Sequence, residues 1–377
     1  MSKVILSKSS FPPICGDGAR LYHIITRFKD NSTVLVFSSP YGSTEAIEKN
    51  YGKVEVIKIF LGISNLFKND ENLKQLNKED SLLIYAMQPD LLLLIHSIKN
   101  AKKNGTRIIV DVEDMPTFAN NFPYKLFNFY IKKRYKDVLK IADKVICISE
   151  YLKKELISDY NIDKDKIEVI HNGVDMSFFK RNDRARKTLR EKYGINDDDI
   201  VFIYSGAIVD WSGAISCLDA FKEAINKNPK IKVFYIGNGD IDDLNNKIKD
   251  LQIEDNAKYL GYFEFERMPE LLSIGDVGLL PFEKDPLTEA ASPIKIFEYM
   301  SVGMPVISTD MMGTKEVIKD SYNGMLVKNN AEFVSALLKI SEDRAFYQKL
   351  KNNSFETVKE YDWEFLTKRF EDLVDNS

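Results

Sequence analysis

Short apolar segments alternate with longer amphipathic segments along almost the whole chain. An uninterrupted apolar segment bounded by turn residues is typical of a strand buried on both faces, whereas apolar residues three and four apart form one face of a helix. Their regular alternation predicts parallel sheets covered by helices. In the first part of the chain the predicted strands are 4–6, 34–37, 54–59, 82–85, a segment starting at 107, 145–148 and 167–170.

The alternation stops near residue 180, in the polar and basic stretch S-F-F-K-R-N-D-R-A-R-K-T-L-R, and then begins afresh. The restart predicts a second unit of the same kind, with strands at 200–204, 233–236, 258–261, 277–281 and 306–308. We therefore expect two Rossmann-like, doubly wound α/β domains, residues 1–178 and 179–361. A final helix within residues 362–377 is expected to pack back on the first domain.

The composition agrees with two α/β domains. The 377 residues suit two domains of usual size, and 44% hydrophobic residues suffice for two cores. Fifty-three basic against 57 acidic side chains give a net charge of −4, so no general affinity for nucleic acid is expected. The three cysteines are widely spaced, which favours reduced thiols in a cytoplasmic protein. The sequence has no signal core and no bilayer-length apolar run, so at most a peripheral membrane association is expected.

The most informative segment runs from 289 to 309, E-A-A-S-P-I-K-I-F-E-Y-M-S-V-G-M-P-V-I-S-T. Ser292 is a good N-cap residue and Pro293 suits the first helical position, so a helix is expected to begin here. Its first-turn N–H groups and its dipole favour an anion. Lys295 would be the third helical residue, where the helix dipole disfavours a cation by roughly 0.3–1 kcal/mol. Its presence there indicates an anion outside the helix that binds both the lysine and the helix start.

These features suggest a site for a nucleoside diphosphate. Lys295 and the amides of Ile294 and Lys295 would hold a phosphate. Glu298 lies one turn later on the same face and would bond sugar hydroxyls. The alternative is a Lys–Glu surface pair worth about 0.2–0.5 kcal/mol on a helix that packs through its apolar residues.

The turn after the first strand is a second candidate. Gly16 and Gly18 would let the backbone approach a ligand closely, and Arg20 in the following helix would meet an anionic group. The alternative is a tight turn without a ligand, since Gly-x-Gly is a weak signal.

A cluster of acids follows the strand that starts at 107. Asp111, Glu113 and Asp114 fall at its carboxyl end, where open α/β sheets bind ligands. They are therefore placed to face a binding site. Pairing with basic side chains is the alternative, and both interpretations stay open.

Residues 123–141 predict a long helix with many aromatic and basic side chains. It would either pack on the sheet or lie on an anionic membrane surface. The residues that would pack on the sheet are Leu126, Phe129, Tyr130, Val138 and Leu139. The basic residues are Lys125, Lys132, Lys133, Arg134, Lys136 and Lys140.

Several segments occur in an order and spacing that resemble a known family. They are F-P-P-I-C-G, A-D-K-V-I-C-I-S-E, I-E-V-I-H-N-G-V-D, F-I-Y-S-G, Y-I-G-N-G-D and G-D-V-G-L-L-P, followed by S-P-I-K-I-F-E-Y-M-S-V-G-M-P-V-I-S-T. Together they resemble glycosyltransferase family four. The resemblance implies the GT-B fold, with two Rossmann-like domains facing across a cleft, and a retaining enzyme that uses a nucleotide sugar. It also implies that helix 293–302 binds the donor diphosphate and that Glu298 holds the ribose.

The chain departs from the family pattern at three places. The first residue of the family's paired-glutamate motif falls on Ala290, and Glu289 lies one position early. The Arg and Lys that the family sets against the diphosphate fall on Ala207 and Ser212. The second Gly of the first loop is Asp17. Lys295, which belongs to a variant pattern P-x-K-x-x-E-Y, is the natural substitute for the missing positive charge.

The resulting hypothesis is a metal-independent glycosyltransferase of the hexosyltransferase type, acting in cell-surface polysaccharide or glycolipid synthesis. It needs no cofactor besides the nucleotide sugar, and its other partner is a glycan or lipid-linked glycan acceptor. It is expected in the cytoplasm or at the inner face of the cell membrane. One alternative is a nucleotide-sugar epimerase on the same fold, although three histidines are few for its chemistry. Another is a catalytically degenerate relative.

Specific residues follow from this hypothesis. Lys295 would stabilise the leaving diphosphate and Glu298 would position the donor, while Asp114 or Glu113 would orient the acceptor. His171 and His23 are weaker candidates, because a single histidine is more often structural. The candidate donor-binding residues are Gly16, Gly18, Gly206, Tyr262, Ser292, Ile294, Lys295 and Glu298.

Overall fold

The computed structural model describes residues 3–7, 18–28, 32–38, 49–51, 54–60, 71–85, 94–114 and 124–376. The chain divides into two compact units, Met1–His171 with Trp363–Ser377, and Asn172–Asp362. The elements up to the second unit are β1 (Lys3–Ser7), α1 (Ala19–Ile25), β2 (Ser32–Ser38), β3 (Lys49–Tyr51), β4 (Val54–Phe60), α2 (Glu71–Lys74), β5 (Ser81–Tyr85), α3 (Ile95–Lys103), β6 (Arg107–Val112), α4 (Tyr124–Ile141), β7 (Lys144–Cys147), α5 (Glu150–Tyr160) and β8 (Ile167–Val169). Those that follow are α6 (Asp183–Lys192), β9 (Ile200–Ser205), α7 (Leu218–Lys227), β10 (Ile231–Ile236), α8 (Ile241–Asp250), β11 (Ala257–Gly261), α9 (Met268–Leu272), β12 (Val277–Leu280), α10 (Pro286–Glu289), α11 (Ile294–Ser301), β13 (Val306–Thr309), α12 (Thr314–Val317), β14 (Gly324–Val327), α13 (Asn330–Glu342), α14 (Arg344–Val358) and α15 (Trp363–Asn376).

Each unit is built on a sheet of largely parallel strands. Among the described residues of the first unit the strand order is β3-β4-β2-β1-β5-β6-β7-β8, and β3 runs antiparallel to β4. In the second unit the order is β11-β10-β9-β12-β13-β14, with neighbours parallel. Every strand predicted from the sequence is present, which confirms the α/β fold class. The short strands β3 and β14 were not predicted.

Alternate residues of the central strands face opposite sides of each sheet. In β1, Val4 and Leu6 join one apolar core, whereas Ile5 joins another. In β9, Phe202 and Val201 likewise belong to different cores. Because both faces of a central strand are covered, its sequence is continuously apolar rather than alternating.

Helix α15 belongs to the first unit although it is the last element of the chain. Its Trp363 and Phe370 are buried in the same core as Ile5. Beside this core the amine of Lys3 lies 3.1 Å from the carboxylate of Glu371, and both side chains are almost fully buried. A buried lysine needs such a partner, so this pair ties the start of β1 to α15.

The boundary between the units lies earlier than predicted. The predicted split after residue 178 is corrected to one after His171, because the following residues pack in the second unit. The N–H of Val174 donates to the carbonyl of Tyr361 at 3.0 Å, and Phe179 is buried in the second unit's core. The basic stretch that marked the lapse in alternation therefore lies inside the second unit.

Gly213 generates a prediction about stability. It adopts a left-handed φ of 64°, and a Cβ added there would lie 1.7 Å from the carbonyl oxygen of Pro281. Gly213→Ala should therefore lower the free energy of unfolding by more than the ~1–2 kcal/mol that left-handed backbone alone costs. Gly194→Ala is the matched control, since its φ is 66° and no atom lies within 4 Å of the added Cβ. Equal losses for the two variants in urea denaturation would contradict this reasoning.

Candidate functional site

The start of α11 brings several candidate residues together. The helix begins at Ile294, and Pro293, with an extended ψ of 132°, takes the N-cap position. The prediction that Ser292 caps the helix is therefore wrong, because Ser292 precedes the cap. Lys295 is the second helical residue instead of the third. Its N–H and that of Ile294 lie in the first turn, where amides have no acceptor within a helix.

The segment before α11 is held in place by Asn172. The side-chain amide of Asn172 donates to the carbonyl of Ser292 at 2.9 Å. Ser292 itself is only 3% exposed, and its hydroxyl has no hydrogen-bond partner within the described residues. Because buried polar groups are rarely left unbonded, an orphaned hydroxyl next to a helix start is consistent with a ligand that completes its bonding.

The amine of Lys295 lies over two aromatic rings. Its Nζ is 4.8 Å from the ring centroid of Tyr204 and 5.3 Å from that of Phe282. The side chain is half-buried, and no acceptor or acid of the described chain bonds its Nζ. Burial lowers the pKa of Lys295 to about 8. An ammonium group whose neighbours are ring faces keeps its hydrogen-bond donors for an external anion.

Gly206 makes room for this amine. It follows β9 with a φ of 134°, and a Cβ built there would lie 2.3 Å from the Nζ of Lys295. The hydroxyl of Tyr204 donates to the carbonyl of Ala207 at 2.6 Å, which fixes both the ring and the turn. A side chain at Gly206 would therefore displace Lys295 from its place.

Glu298 does not form the surface ion pair that was the alternative interpretation. Burial raises the pKa of Glu298 to about 7, with Lys295 opposing the shift. No hydrogen bond or salt bridge joins the Glu298 carboxyl to any described residue. The apolar face of α11 does pack as expected, since Phe297 and Met300 are fully buried. The helix thus has a packed face and a second face with two unsatisfied ionisable groups.

The residues at the departures from the family pattern have structural roles. One carboxylate oxygen of Glu289 accepts from the Met312 N–H at 2.9 Å and the other lies 2.9 Å from the Lys284 amine, so both oxygens are bonded within the second unit. Ala290 is buried. The hydroxyl of Ser212 donates to the carbonyl of Val209 at 2.6 Å and closes a turn. Residues 206–213, where the family pattern has an Arg and a Lys, contain no basic side chain.

The remaining donor candidates lie at other strand ends. Tyr262 follows β11 and is 58% exposed, at the same carboxyl edge of the sheet as Gly206. Gly18, in the first unit, precedes α1 with a φ of 84°. Gly16 and Asp17 lie outside the described residues. No group of three or more His, Cys, Asp or Glu side chains that would hold a metal ion occurs in the described part of the chain.

Arg20 does not face a ligand, contrary to the prediction. Its Nε and Nη2 donate to the two carboxylate oxygens of Asp111 at 2.9 and 3.3 Å, and Nη1 donates to the His171 carbonyl at 2.9 Å. Arg20 and Asp111 are fully buried. The anionic group that Arg20 meets is therefore part of its own unit, and Asp111 is a structural partner rather than a ligand-facing acid.

Glu113 and Asp114 differ in their surroundings. One oxygen of the Glu113 carboxyl is bonded by the Tyr85 hydroxyl at the end of β5, and it lies 3.9 Å from Arg20 Nε. Burial and Asp111 raise the pKa of Glu113 to about 8. Asp114 is exposed. Glu113 forms no salt bridge with a lysine among the described residues.

The two histidines have structural surroundings. The ring of His23 stacks on that of Trp363 with centroids 5.6 Å apart and contacts Arg27. His171 is half-buried, and its burial lowers its pKa. Both features agree with their lower rank as catalytic candidates.

Helix α4 packs on the sheet and also presents an aromatic and basic surface. Tyr135, Val138 and Leu139 are fully buried, whereas Phe129 and Tyr130 are 76% and 45% exposed. The prediction that Phe129 and Tyr130 pack on the sheet is wrong, because the buried face of the helix runs through Ile131 and Tyr135 instead. The side chain of Leu126 lies outside the described residues. No helix among the described ranges is both long and apolar enough to span a membrane.

Two family models match the chain. The model for Glycosyltransferase Family 4 matches residues 19–178, and the model for Glycosyl transferases group 1 matches residues 185–357. The putative teichuronic acid biosynthesis glycosyltransferase TuaH of Bacillus subtilis is 25% identical over 238 residues, 61% of this chain and 54% of the relative. The Escherichia coli UDP-Gal:alpha-D-GlcNAc-diphosphoundecaprenol alpha-1,3-galactosyltransferase is 28% identical over 239 residues, 59% of either chain. The matched stretch thus spans little more than half the length of these curated relatives.

The fold also resembles solved structures over its whole length. The crystal structure of Anabaena Alr3699/HepE in complex with UDP superposes with a TM-score of 0.76 at 17% identity and covers all of both chains. A likeness of this extent at low identity is a likeness of fold. It confirms the predicted GT-B architecture of two Rossmann-like domains.

The Arg20–Asp111 pair generates a second prediction. Arg20→Met would leave the Asp111 carboxylate buried without its cation, which typically costs about 3–5 kcal/mol. Asp111→Asn should cost a similar amount, and the double variant should cost less than the sum of the two. Urea denaturation of the four proteins measures this coupling. Additive losses would show that the two side chains act independently.

Proposed function

The chain belongs to the glycosyltransferases of the family 4 type, and on that premise we propose that it transfers a sugar from a nucleoside diphosphate donor to an acceptor hydroxyl. The transfer proceeds with retention of the anomeric configuration, and the product is a cell-surface polysaccharide or glycolipid. Two relatives support this product class, since one is named for teichuronic acid biosynthesis and the other for a diphosphoundecaprenol-linked acceptor. The first donors to test are UDP-sugars, because UDP is bound in the structurally similar HepE.

The observation that carries the proposal is the amine of Lys295. It lies over the rings of Tyr204 and Phe282 and has no acid or acceptor partner in the described chain. A diphosphate at the start of α11 would receive this ammonium, the first-turn amides and the Ser292 hydroxyl. Negative charge grows on the diphosphate as the glycosidic bond breaks, so preorganised donors of this kind would stabilise the transition state.

The same arrangement supports transfer without a metal ion. In many phosphate sites a divalent cation supplies the compensating charge. Here we assign that role to Lys295 and the helix start. Glu298, one turn along the same face, is a half-buried carboxyl that would accept hydrogen bonds from the ribose hydroxyls. In the first unit, Glu113 or Asp114 at the carboxyl end of β6 would orient the acceptor.

Removing the Lys295 amine tests the donor site. Lys295→Met should weaken UDP binding by about ten- to a hundredfold, since a charge-assisted bond is worth roughly 1.5–3 kcal/mol. Binding of uridine should not change, because it has no phosphate. In the parent protein UDP affinity should fall as the pH rises through about 8, where the free amine loses its proton. Calorimetric titrations measure the UDP affinity of both proteins, their uridine affinity and the pH dependence of UDP binding. Performing them in EDTA shows whether UDP binding needs a metal ion.

Glu298→Gln is the companion variant for the ribose. It should weaken UDP binding while leaving the much weaker binding of pyrophosphate unchanged. Parent and Lys295→Met proteins with equal affinity for UDP would contradict the assignment. Hydrolysis of UDP-sugars without any acceptor separates a working enzyme from a catalytically degenerate relative, which would bind UDP but release no sugar.

We further propose that the exposed side of α4 holds the enzyme at anionic membranes, where lipid-linked acceptors are found. Phe129, Tyr130 and Lys133 are exposed on the side of α4 away from the buried Tyr135, and Lys132 is exposed at the border of this surface, with its amine over the ring of Tyr160. Basic residues near an anionic surface contribute about 1 kcal/mol each, and aromatic side chains suit the interface. The chain as a whole has a net charge of −4 and would be repelled by an anionic membrane, so any attraction must come from this basic surface alone.

Vesicle sedimentation tests the α4 surface. The protein should sediment with vesicles of phosphatidylglycerol and phosphatidylcholine at low salt and dissociate at high salt, where charges are screened. Lys132→Glu, Lys133→Glu and Lys136→Glu together should abolish binding. The control carries the same charge change at exposed Lys164, Lys187 and Lys249 and should still sediment. If both triple variants behave alike, net charge rather than α4 governs binding.

A further inference from the structure

The carboxyl edge of the first unit's sheet holds a buried network of four ionisable side chains. Arg20 comes from α1, Tyr85 ends β5, Asp111 lies in β6 and Glu113 follows β6. The paired strands β5 and β6 place Tyr85 opposite Asp111. The network thus joins three elements at the edge where α/β sheets bind ligands.

The network contains two carboxyl groups and one cation. Arg20 gives two of its donors to Asp111 and a third to the His171 carbonyl. Asp111 is fully buried and has both oxygens bonded by Arg20, so it takes most of the guanidinium charge. Glu113 lies 3.9 Å from Arg20 Nε, beyond hydrogen-bond distance. It is therefore the second acid beside a cation that is already neutralised.

The two oxygens of Glu113 have different environments. Oε1 accepts a hydrogen bond from the hydroxyl of Tyr85, whose side chain is fully buried. Oε2 has no partner among the described residues. The Glu113 side chain as a whole is 23% exposed. One oxygen is thus anchored from within the fold, while the side chain remains accessible to a ligand.

We propose that Glu113 works in its protonated form and uses its carboxyl O–H to donate a hydrogen bond to a hydroxyl oxygen of the acceptor, with Tyr85 as the residue that positions it. The identity of the ligand, an acceptor hydroxyl, rests on the proposed glycosyl transfer. The protonation of Glu113 does not depend on that function. A neutral carboxyl donor at this place recognises hydroxyl oxygens and offers nothing to attract an ammonium group. Glu113 is then a residue that contacts the acceptor, whereas Tyr85 acts through it.

The charges around Glu113 favour the neutral form. Burial and the nearby carboxylate of Asp111 raise the pKa of Glu113 to about 8, and Asp114 adds to this effect. Arg20 and the Tyr85 hydroxyl oppose it, because a cation and a hydrogen-bond donor both stabilise the ionised carboxylate. These are the charged and titratable groups that face Glu113 from α1, β5 and β6. The desolvation outweighs the opposing groups because Arg20 is committed to Asp111.

Unfolding free energy against pH tests the protonation without any substrate. A native carboxyl of raised pKa binds its proton more tightly than the unfolded chain, so its contribution to stability is lost as the pH rises from about 4.5 to about 8. The parent protein should show this loss and Glu113→Gln should lack it. Glu79→Gln changes an exposed carboxyl of the same unit and should follow the parent. Parallel curves for the parent and Glu113→Gln would overturn the proposal.

Tyr85→Phe tests the positioning role. The loss of stability that Glu113 causes with rising pH ends near its native pKa. Removing the Tyr85 donor to Oε1 should raise this pKa, because the ionised carboxylate loses a hydrogen bond, so the upper end of this pH window should move to higher pH than in the parent. An unchanged window would mean that Tyr85 does not act on Glu113. A purely structural tyrosine would change the level of the stability curve and leave the position of its pH window unaltered.

Hydrolysis of UDP-glucose between pH 6 and 9.5 tests the use of the proton. With water as the acceptor and UDP-glucose saturating, the ratio of the parent rate to the Glu113→Gln rate should fall above about pH 8, because the amide of the Glu113→Gln variant still donates there. The ratio cancels any loss from the Lys295 amine, since both proteins carry it. Glu113→Ala, without a donor, should be at least tenfold slower than Glu113→Gln. A parent rate that rises through this range, with Glu113→Gln as slow as Glu113→Ala, would show that Glu113 acts as a carboxylate base instead. UDP affinity, measured in parallel, reports on the proposed donor site alone.

Discussion

A positive charge held over two aromatic rings is the constraint on which the candidate donor site depends. The amine of Lys295 forms no salt bridge or hydrogen bond within the described chain, so the packing of the residues around it sets its position. Gly206 leaves space for it, and the bond from Tyr204 to the following turn holds one of the rings. The second ring, that of Phe282, is packed edge-on by Trp211. Preorganisation of this kind lets a bound anion gain the full attraction without rearrangement.

The two cations expected to meet anions show how burial decides between structure and ligand binding. Arg20 and Lys295 were assigned the same role on sequence grounds, since each lies in the first turn of a helix after a strand. Arg20 donates to the Asp111 carboxylate on β6 and is buried within the first unit. Lys295 is placed over ring faces, which attract a cation without consuming its hydrogen-bond donors. The difference lies in residues distant in sequence, so no local pattern distinguishes the two cases.

The strands and the helix of the donor site were predictable because their signals are local. Continuous apolar segments mark strands covered on both faces, and the segment at 289–309 carries its own helix start and stop. The N-cap was misplaced by one residue because proline fits both the cap and the first turn. The contact of Tyr85 with Glu113 was not predictable, since it arises from the register of β5 against β6. Sequence analysis identified Glu113, but its titration behaviour depends on that register.

The crossing of the last helix into the first unit has a consequence for the order of folding during synthesis. The core around Ile5 is completed by Trp363 and Phe370, which leave the ribosome after every residue of the second unit. The second unit is contiguous in sequence, and all of its strands emerge before α15 does. Nascent chains therefore carry a first unit whose core around Ile5 is covered by α1 but not yet by α15, while the second unit is already complete and able to fold. A chaperone that shields apolar surface would find its main target in the first unit, next to Ile5, until α15 has emerged.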